Sequence, residues 1–325
     1  MSVINAYKIL LLQEDTGMTE MKEFYFPSAD GRTNIRACRW TATREIKAIV
    51  QIVHGIAEHI ERYTPFASFL AEQGIAVFGH DHLGHGKSVV SEEDRGYFAA
   101  DDGWFKCVED VNTLRGIAQK EYPGVPYFIF GHSMGSFLTR TYITKYADGI
   151  KGAVISGTGT NPEMILKLGR LVASMEMKKD PRIKSEMIRK MCFGSYNSHI
   201  ENPKNENEWL SRDIAVSEAY CNDPLCGFLP AASLYRNMFE GISYIQNKEN
   251  VNKVPKNLPM LFISGTEDPV GNYSKGVVAA FDGYKKAGVT DMTMWLYEGG
   301  RHEMLNETNK EKVWSDVGGW IEARI

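Results

Sequence analysis

Cysteine is scarce: five residues, Cys38, Cys107, Cys192, Cys221 and Cys226, lie scattered through 325. An odd, dispersed set gives neither a disulfide framework nor a close CxxC metal pair, and it suits a reducing, cytoplasmic setting. Neither sign of charge dominates, with 37 Lys and Arg against 41 Asp and Glu. Binding along a phosphate backbone needs a concentrated basic face, so no nucleic-acid partner is expected. No run of about 20 apolar residues occurs, so no transmembrane segment is expected. The N-terminal run Ile9–Leu12 meets Gln13-Glu14-Asp15 at once and is too brief for the apolar core of a secretory signal. Internal repeats and low-complexity tracts are missing as well. A chain that is 43% hydrophobic and 24% charged folds as a globular protein.

Residues 1–21 read as a detachable N-terminal extension, with Met1, Met18 or Met21 each able to serve as the start. Patterned sequence begins at Glu23–Pro27. Strand-like segments follow at Arg32–Trp40, Ala48–Val53, Ile75–Phe78, Tyr127–Phe130, Gly152–Ile155, Met260–Ile263 and Met292–Tyr297. The later ones are almost continuously apolar, as parallel strands buried on both faces must be. Helical stretches at Tyr63–Gln73, Phe105–Glu121, Phe137–Tyr146 and Gly276–Ala287 separate most of them. Such alternation predicts an α/β fold, a parallel sheet with helices on both sides.

The rhythm breaks at residues 160–236, which hold no strong strand and are rich in Met, Lys, Arg and Asn. The spacing of Met164, Leu168, Leu171, Val172 and Met175 puts them on one helical face. The segment reads as a helical cap inserted between a first core part, 22–159, and a second, 237–325. Its apolar face is expected either to pack on the core or to cover a site, with Met164 and Leu168 touching a flexible apolar ligand.

Gly131-His132-Ser133-Met134-Gly135 is the only GxSxG in the chain. It follows an apolar strand directly and opens a helix, the strand, sharp turn and helix that expose a nucleophilic serine. A side chain at either glycine would collide with neighbouring strand or helix, and the helix N-terminus favours developing negative charge. His132, within the elbow, is expected to face substrate. A serine hydroxyl needs a base, and the base needs a carboxylate to hold its tautomer. His302 follows the last strand and Asp268 the one before, so both share the rim that carries Ser133. Glu267 competes with Asp268, but the Asp268-Pro269-Val270 turn fixes Asp268 better. The oxyanion donors are expected to be the backbone N–H groups of Met134 and of Ile56, with Gly55 allowing close backbone approach and His54 serving as a prop.

His80-Asp81-His82-Leu83-Gly84-His85 resembles a zinc-ligand run, but the metallo-hydrolase pattern wants Asp where Gly84 stands, so a turn is expected and no metal. Cys221 and Cys226 flank Asn222-Asp223-Pro224-Leu225, a capped turn by composition.

Together, His54–His59 with Arg62-Tyr63, Asp81–Ser88, Gly131–Gly135, Asn222–Leu225, Asp268–Gly271 and Arg301-His302-Glu303 resemble the α/β-hydrolases of the monoacylglycerol lipase and lysophospholipase group, also catalogued as serine-aminopeptidase-like. The resemblance runs from about Met21 to Ile325 and departs from the usual pattern at Leu83 and Ser136. It implies a mostly parallel eight-stranded sheet with a helical cap, no cofactor, and hydrolysis of a single acyl ester through Ser133, Asp268 and His302. The substrate implied is a lipophilic acyl ester such as a monoacylglycerol or lysophospholipid, with passing contact at a membrane surface. An aminopeptidase would instead need a cap carboxylate for the substrate amine, for which Glu163, Glu176, Glu186 and Glu218 are available. A ligand-binding protein on this scaffold is the remaining alternative.

Overall fold

A computed structural model describes residues 19–325. Met1, Met18 and the Ile9–Leu12 run lie outside them. In chain order the elements are β1 (Glu20–Pro27), β2 (Asn34–Thr41), β3 (Ala48–Val53), α1 (Thr64–Ala71), β4 (Ile75–His80), α2 (Gly103–Glu121), β5 (Tyr127–His132), α3 (Met134–Tyr142) and β6 (Ile150–Ser156). Five helices follow before the sheet resumes: α4 (Glu163–Met177), α5 (Glu186–Phe193), α6 (Ile214–Asn222), α7 (Ala232–Gln246) and the single turn α8 (Lys248–Val251). Then come β7 (Met260–Gly265), α9 (Lys275–Lys286), β8 (Met292–Tyr297) and α10 (Lys310–Glu322).

The eight strands form one sheet in the order β1-β2-β4-β3-β5-β6-β7-β8. β2 is antiparallel to both β1 and β4, and every later pairing is parallel. β3, β4, β5 and β7 are buried at every position, so Val, Ile and Phe on both faces leave water together and form two core layers. The sheet begins earlier than the expected extension allows, since Glu20 and Met21 already pair with Thr41 and Trp40.

Two expectations need correction. The boundary at 236/237 falls inside α7, a core helix: Gly241 lies against the Trp104 indole, and Asn237 accepts a hydrogen bond from the Trp104 N–H at 3.2 Å. The apolar stripe of α4 also faces the other way. The helix packs on α7 through Leu166, Gly169 and Ala173, with Gly169 letting the Phe239 ring approach. Met164 is left 82% exposed and Leu168 53% exposed, with Leu171 and Met175 beside them. Small residues bring the helix axes close, and that contact turns the larger apolar side chains outward.

Candidate active site

Because β3, β5, β7 and β8 run parallel, their C-terminal ends share one rim, and each delivers a loop to it. The loop after β5 is a single residue. Ser133 stands between strand and helix with φ 54° and ψ −123°, a conformation that side-chain-bearing residues rarely adopt. Its amide donates to the Ser156 carbonyl on β6 at 3.0 Å, and Ser136 Oγ donates to the Ser133 carbonyl at 2.6 Å. Ser136 therefore braces the elbow. A β-carbon on Gly135 would fall on the Val53 carbonyl, and one on Gly131 on Thr139 and the Gly135 carbonyl. The turn exists only because both flanking residues are glycine.

β7 and β8 supply the acid and the imidazole. Asp268 is fully buried and accepts from the Val270 N–H at 2.9 Å and from Ser264 Oγ at 3.1 Å. His302 Nδ1 bonds Asp268 Oδ1 at 2.9 Å. Burial opposes the charge on both groups, yet their mutual attraction and hydrogen bond outweigh it: Asp268 is held below the usual carboxylate range and His302 above the usual imidazole range. Glu267 is exposed and takes no part. The other ring nitrogen of His302, Nε2, is buried and has no hydrogen-bond partner among the described residues. Ser133 and His302 line one cavity of about 760 Å³, though no hydrogen bond joins the hydroxyl to Nε2 in this conformation.

Of the two expected donors, Met134 is the first residue of α3, whose N–H has no intrahelical acceptor. The Ile56 N–H has no acceptor among the described residues either. His54 aims it: Nδ1 bonds the Gly55 carbonyl at 2.7 Å, and in a planar trans peptide the Ile56 N–H must then point the opposite way. The tautomer follows, because His54 Nε2 accepts from the His82 N–H at 3.0 Å. Gly55 lies so close to the serine that a β-carbon there would stand 3.1 Å from Ser133 Cβ.

His132 lines the cavity, with its ring 4.6 Å from that of His302, and burial pushes its pKa down to about 3. Met164 and Leu168, expected to touch substrate, do not line the cavity; the cap instead contributes Met191, Phe193, Trp209, Leu210, Tyr220 and Phe228. Trp209 was not anticipated. Its ring lies 5.1 Å from His302 and its carbonyl accepts the His302 N–H at 3.3 Å. None of Glu163, Glu176, Glu186 and Glu218 lines the cavity; the cap carboxylate that does is Glu206, which accepts from Arg189 at 2.9 Å.

Also unforeseen is a buried charge network. Arg62 donates to Glu58 at 2.7 Å and with both outer nitrogens to Glu303 at 2.7 Å. Glu58 in turn accepts from the Gly55 N–H at 2.6 Å and from the Tyr63 hydroxyl at 2.9 Å. Burial alone would raise both carboxyls; the guanidinium wins at Glu303, which falls to about 2, while Glu58 stays raised. The network ties the loop that holds Gly55 and Ile56 to the residue after His302. The four-residue spacing of Glu58 and Arg62 was its only trace in the sequence.

The histidine run turns back after β4 as expected: Asp81 accepts from the Ile60 and Lys87 N–H groups, both at 2.9 Å. His59, Asp223 and Cys226 are the one grouping among the described residues whose donor atoms fall within 4.8 Å of one another. His59 Nε2 and Asp223 Oδ2 are already bonded at 2.8 Å, and burial holds the Cys226 thiol protonated. Asp223 also caps its turn, accepting from the Leu225 N–H at 2.8 Å.

A doubly flanked, mostly parallel eight-stranded sheet with a serine elbow after β5 and a carboxylate–histidine pair after β7 and β8 defines an α/β-hydrolase. The family model described as serine aminopeptidase, S33, matches residues 44–309. The chain belongs to that family. It is 28% identical over 295 residues to the monoacylglycerol lipase of Mycolicibacterium smegmatis, covering 88% of this chain and 92% of that protein. Mouse monoglyceride lipase is 29% identical over 300 residues, with 89% and 87% covered. Among solved structures, a thermostable carboxyl esterase from Bacillus coagulans, crystallised with glycerol, superposes with a TM-score of 0.87 at 31% identity, covering 94% of this chain and 98% of that one.

Proposed function

We propose that this chain, a carboxylic ester hydrolase by fold and family, cleaves monoacyl lipid esters of the monoacylglycerol or lysophospholipid type through an acyl-enzyme on Ser133. His302 Nε2 takes the hydroxyl proton as Ser133 Oγ bonds the acyl carbon. The carbonyl electrons move to oxygen, which the Ile56 and Met134 N–H groups receive. Collapse breaks the bond to the alcohol, which leaves with the proton from His302. Water then gives a proton to Nε2 and attacks the acyl carbon, the free acid departs, and Ser133 recovers its proton. Asp268 holds the imidazole in the tautomer that keeps Nε2 open.

One observation carries the reading: a buried imidazole, fixed by Asp268 on one nitrogen and unpartnered on the other, lines the cavity that holds the strained serine. The cavity size falls within the range of about 300–1,000 Å³ that engulfs small ligands. Met191, Phe193, Trp209, Leu210 and Phe228 on its wall suit an acyl chain, and Arg189, Lys190, Asn197, Glu206 and Asn207 line it as well and suit a polar head group. Outside it, Met164, Ile165, Leu168, Leu171 and Met175 on α4 and Met187 and Met191 on α5 are exposed, and Met191 also lines the cavity. That apolar surface supports transient contact with the lipid layer from which substrate would come. Among the described residues no helix is long and apolar enough to cross a membrane.

The test is a panel of p-nitrophenyl esters from acetyl to palmitoyl beside monoacylglycerol and lysophosphatidylcholine. Medium or long chains are expected to win, and a steep acetyl preference with no turnover of monoacyl lipid would sink the lipid reading. Ser133→Ala is expected to lose about 10⁶-fold in kcat and all labelling by a fluorophosphonate.

A further inference from the structure

The oxyanion loop contains an energetic oddity. Ala57 adopts φ 54°, left-handed for a residue with a β-carbon and no polar side chain to bond locally. An alanine stays there only when its surroundings hold it. Its own loop supplies the Gly55–Glu58 hydrogen bond across it, and no acceptor or donor to Ala57 itself. The Ala57 carbonyl accepts two hydrogen bonds, and both come from the cap: Tyr220 Oη at 2.8 Å and the Gly227 N–H at 2.9 Å. The same cap segment is latched twice more, by Asp223 on His59 at 2.8 Å and by the Tyr220 ring under the Arg62 guanidinium at 4.9 Å.

From these contacts we propose that the cap segment 220–227 completes the oxyanion hole, with Tyr220 as a positioning residue for the Ile56 N–H. The proposal rests on the reading of Ser133 as nucleophile and Ile56 as donor. The coupling is physical and short. Tyr220 and Gly227 hold Ala57 left-handed, which keeps the next residue, Glu58, turned back so that its carboxylate accepts the Gly55 N–H. Gly55 and Ile56 share the peptide group that carries the donor. Were Ala57 to relax to negative φ, its carbonyl would leave both cap donors. Glu58 would swing away from the Gly55 N–H, which belongs to the peptide just before the donor peptide, and the donor peptide, held itself only by His54 on the Gly55 carbonyl, would lose the brace on its N-terminal side. The hole is therefore formed while the cap segment is docked and loosened when it lifts, so catalysis is tied to the position of segment 220–227.

The experiment compares Tyr220→Phe, which deletes one hydroxyl and keeps the ring, with the full-length parent. The expected result is a fall in kcat of about tenfold with KM within about twofold, because a misaimed donor weakens the transition state more than the ground state. Affinity for a trifluoromethyl ketone, whose adduct oxygen occupies the same hole, falls by the same factor. Adding Ala57→Gly to Tyr220→Phe restores most of the loss, since glycine adopts positive φ without strain. Asp223→Asn, which weakens the second latch, moves kcat in the same direction and serves if Tyr220→Phe folds poorly. An unchanged kcat in both variants, a loss carried by KM alone, or a double variant no better than Tyr220→Phe overturns the proposal. Ser133→Ala run alongside separates the premises: turnover that survives it overturns the nucleophile assignment itself.

Discussion

Ser133 lines the cavity and Met164 does not, and the two are held by opposite means. Backbone holds the serine: β6 takes its amide, and glycines at 131 and 135 admit the Thr139 side chain and the Val53 carbonyl where a β-carbon would fall. Met164 is held by little more than its helix. It stands 82% exposed on α4, whose grip on the protein runs through Leu166, Gly169 and Ala173 on the other face. The rim is thus a product of folding, in which steric and hydrogen-bond constraints leave one arrangement. The outer cap is a surface whose apolar character folding does not require. An apolar residue that stability does not explain is a candidate for contact with something else.

The rim side of this contrast breaks hardest at Asp268. Asp268→Asn keeps the shape and removes the charge, so the imidazole loses the two largest influences that raise its pKa, keeps the smaller attraction of Glu303 and Glu58, and still bears the burial that lowers it. Under the proposed mechanism His302 works as a neutral base, so kcat/KM of the parent is expected to fall as pH drops through a pKa above the ordinary histidine value of about 6.5. In the variant the plateau is expected to drop about 10⁴-fold and the acid limb to move to lower pH. A pH–rate profile on a soluble ester checks both. A limb that stays put would mean that the group titrating in it is not His302.

Arg62 probes the same side through stability. Arg62→Met leaves Glu58 and Glu303 buried without their cation, and breaking a buried pair in this way costs about 3–5 kcal/mol near neutral pH. Both carboxyls then have folded pKa values above their unfolded ones. An acid raised on folding destabilises above its unfolded pKa, so the deficit shrinks as pH falls from 7 towards about 4. Urea unfolding at pH 7 and pH 5 measures it. A deficit that does not change with pH would show that lost packing, not charge, is responsible.

How far each region could be read in advance follows from the same contrast. Residues 127–135 were legible because a doubly buried parallel strand must be apolar throughout and a serine elbow must carry glycines, so constraint wrote itself into residue type. The pairing of Asp268 with His302 was legible because parallel strands put their following loops on one rim. The α4 stripe was misread because periodicity locates an apolar face but says nothing of what covers it, and the helix packed through its small residues instead. The Glu58–Arg62–Glu303 network was missed for the converse reason: charged residues read as solvated unless a partner 241 positions away is known. The α7 boundary failed because an insertion's last helix can join the core without changing its composition.

The smallest expected effect bears on the outer cap. Leu171→Asp with Met175→Asp places two charges on a face that is 58–60% exposed. Stability should change by no more than about 0.5–1 kcal/mol, the range of surface substitutions. Turnover of a water-soluble short-chain ester should stay within about twofold of the parent. If the face meets lipid, monoacylglycerol presented in vesicles should be hydrolysed about tenfold more slowly, since two apolar contacts are lost and two charges must be kept out of the bilayer. The ratio of the two rates is the quantity to measure, because damage to the site lowers both and leaves the ratio unchanged. A ratio equal to that of the parent would remove the lipid layer as the reason for the exposed stripe, and the cap would then differ from the rim only in being less constrained.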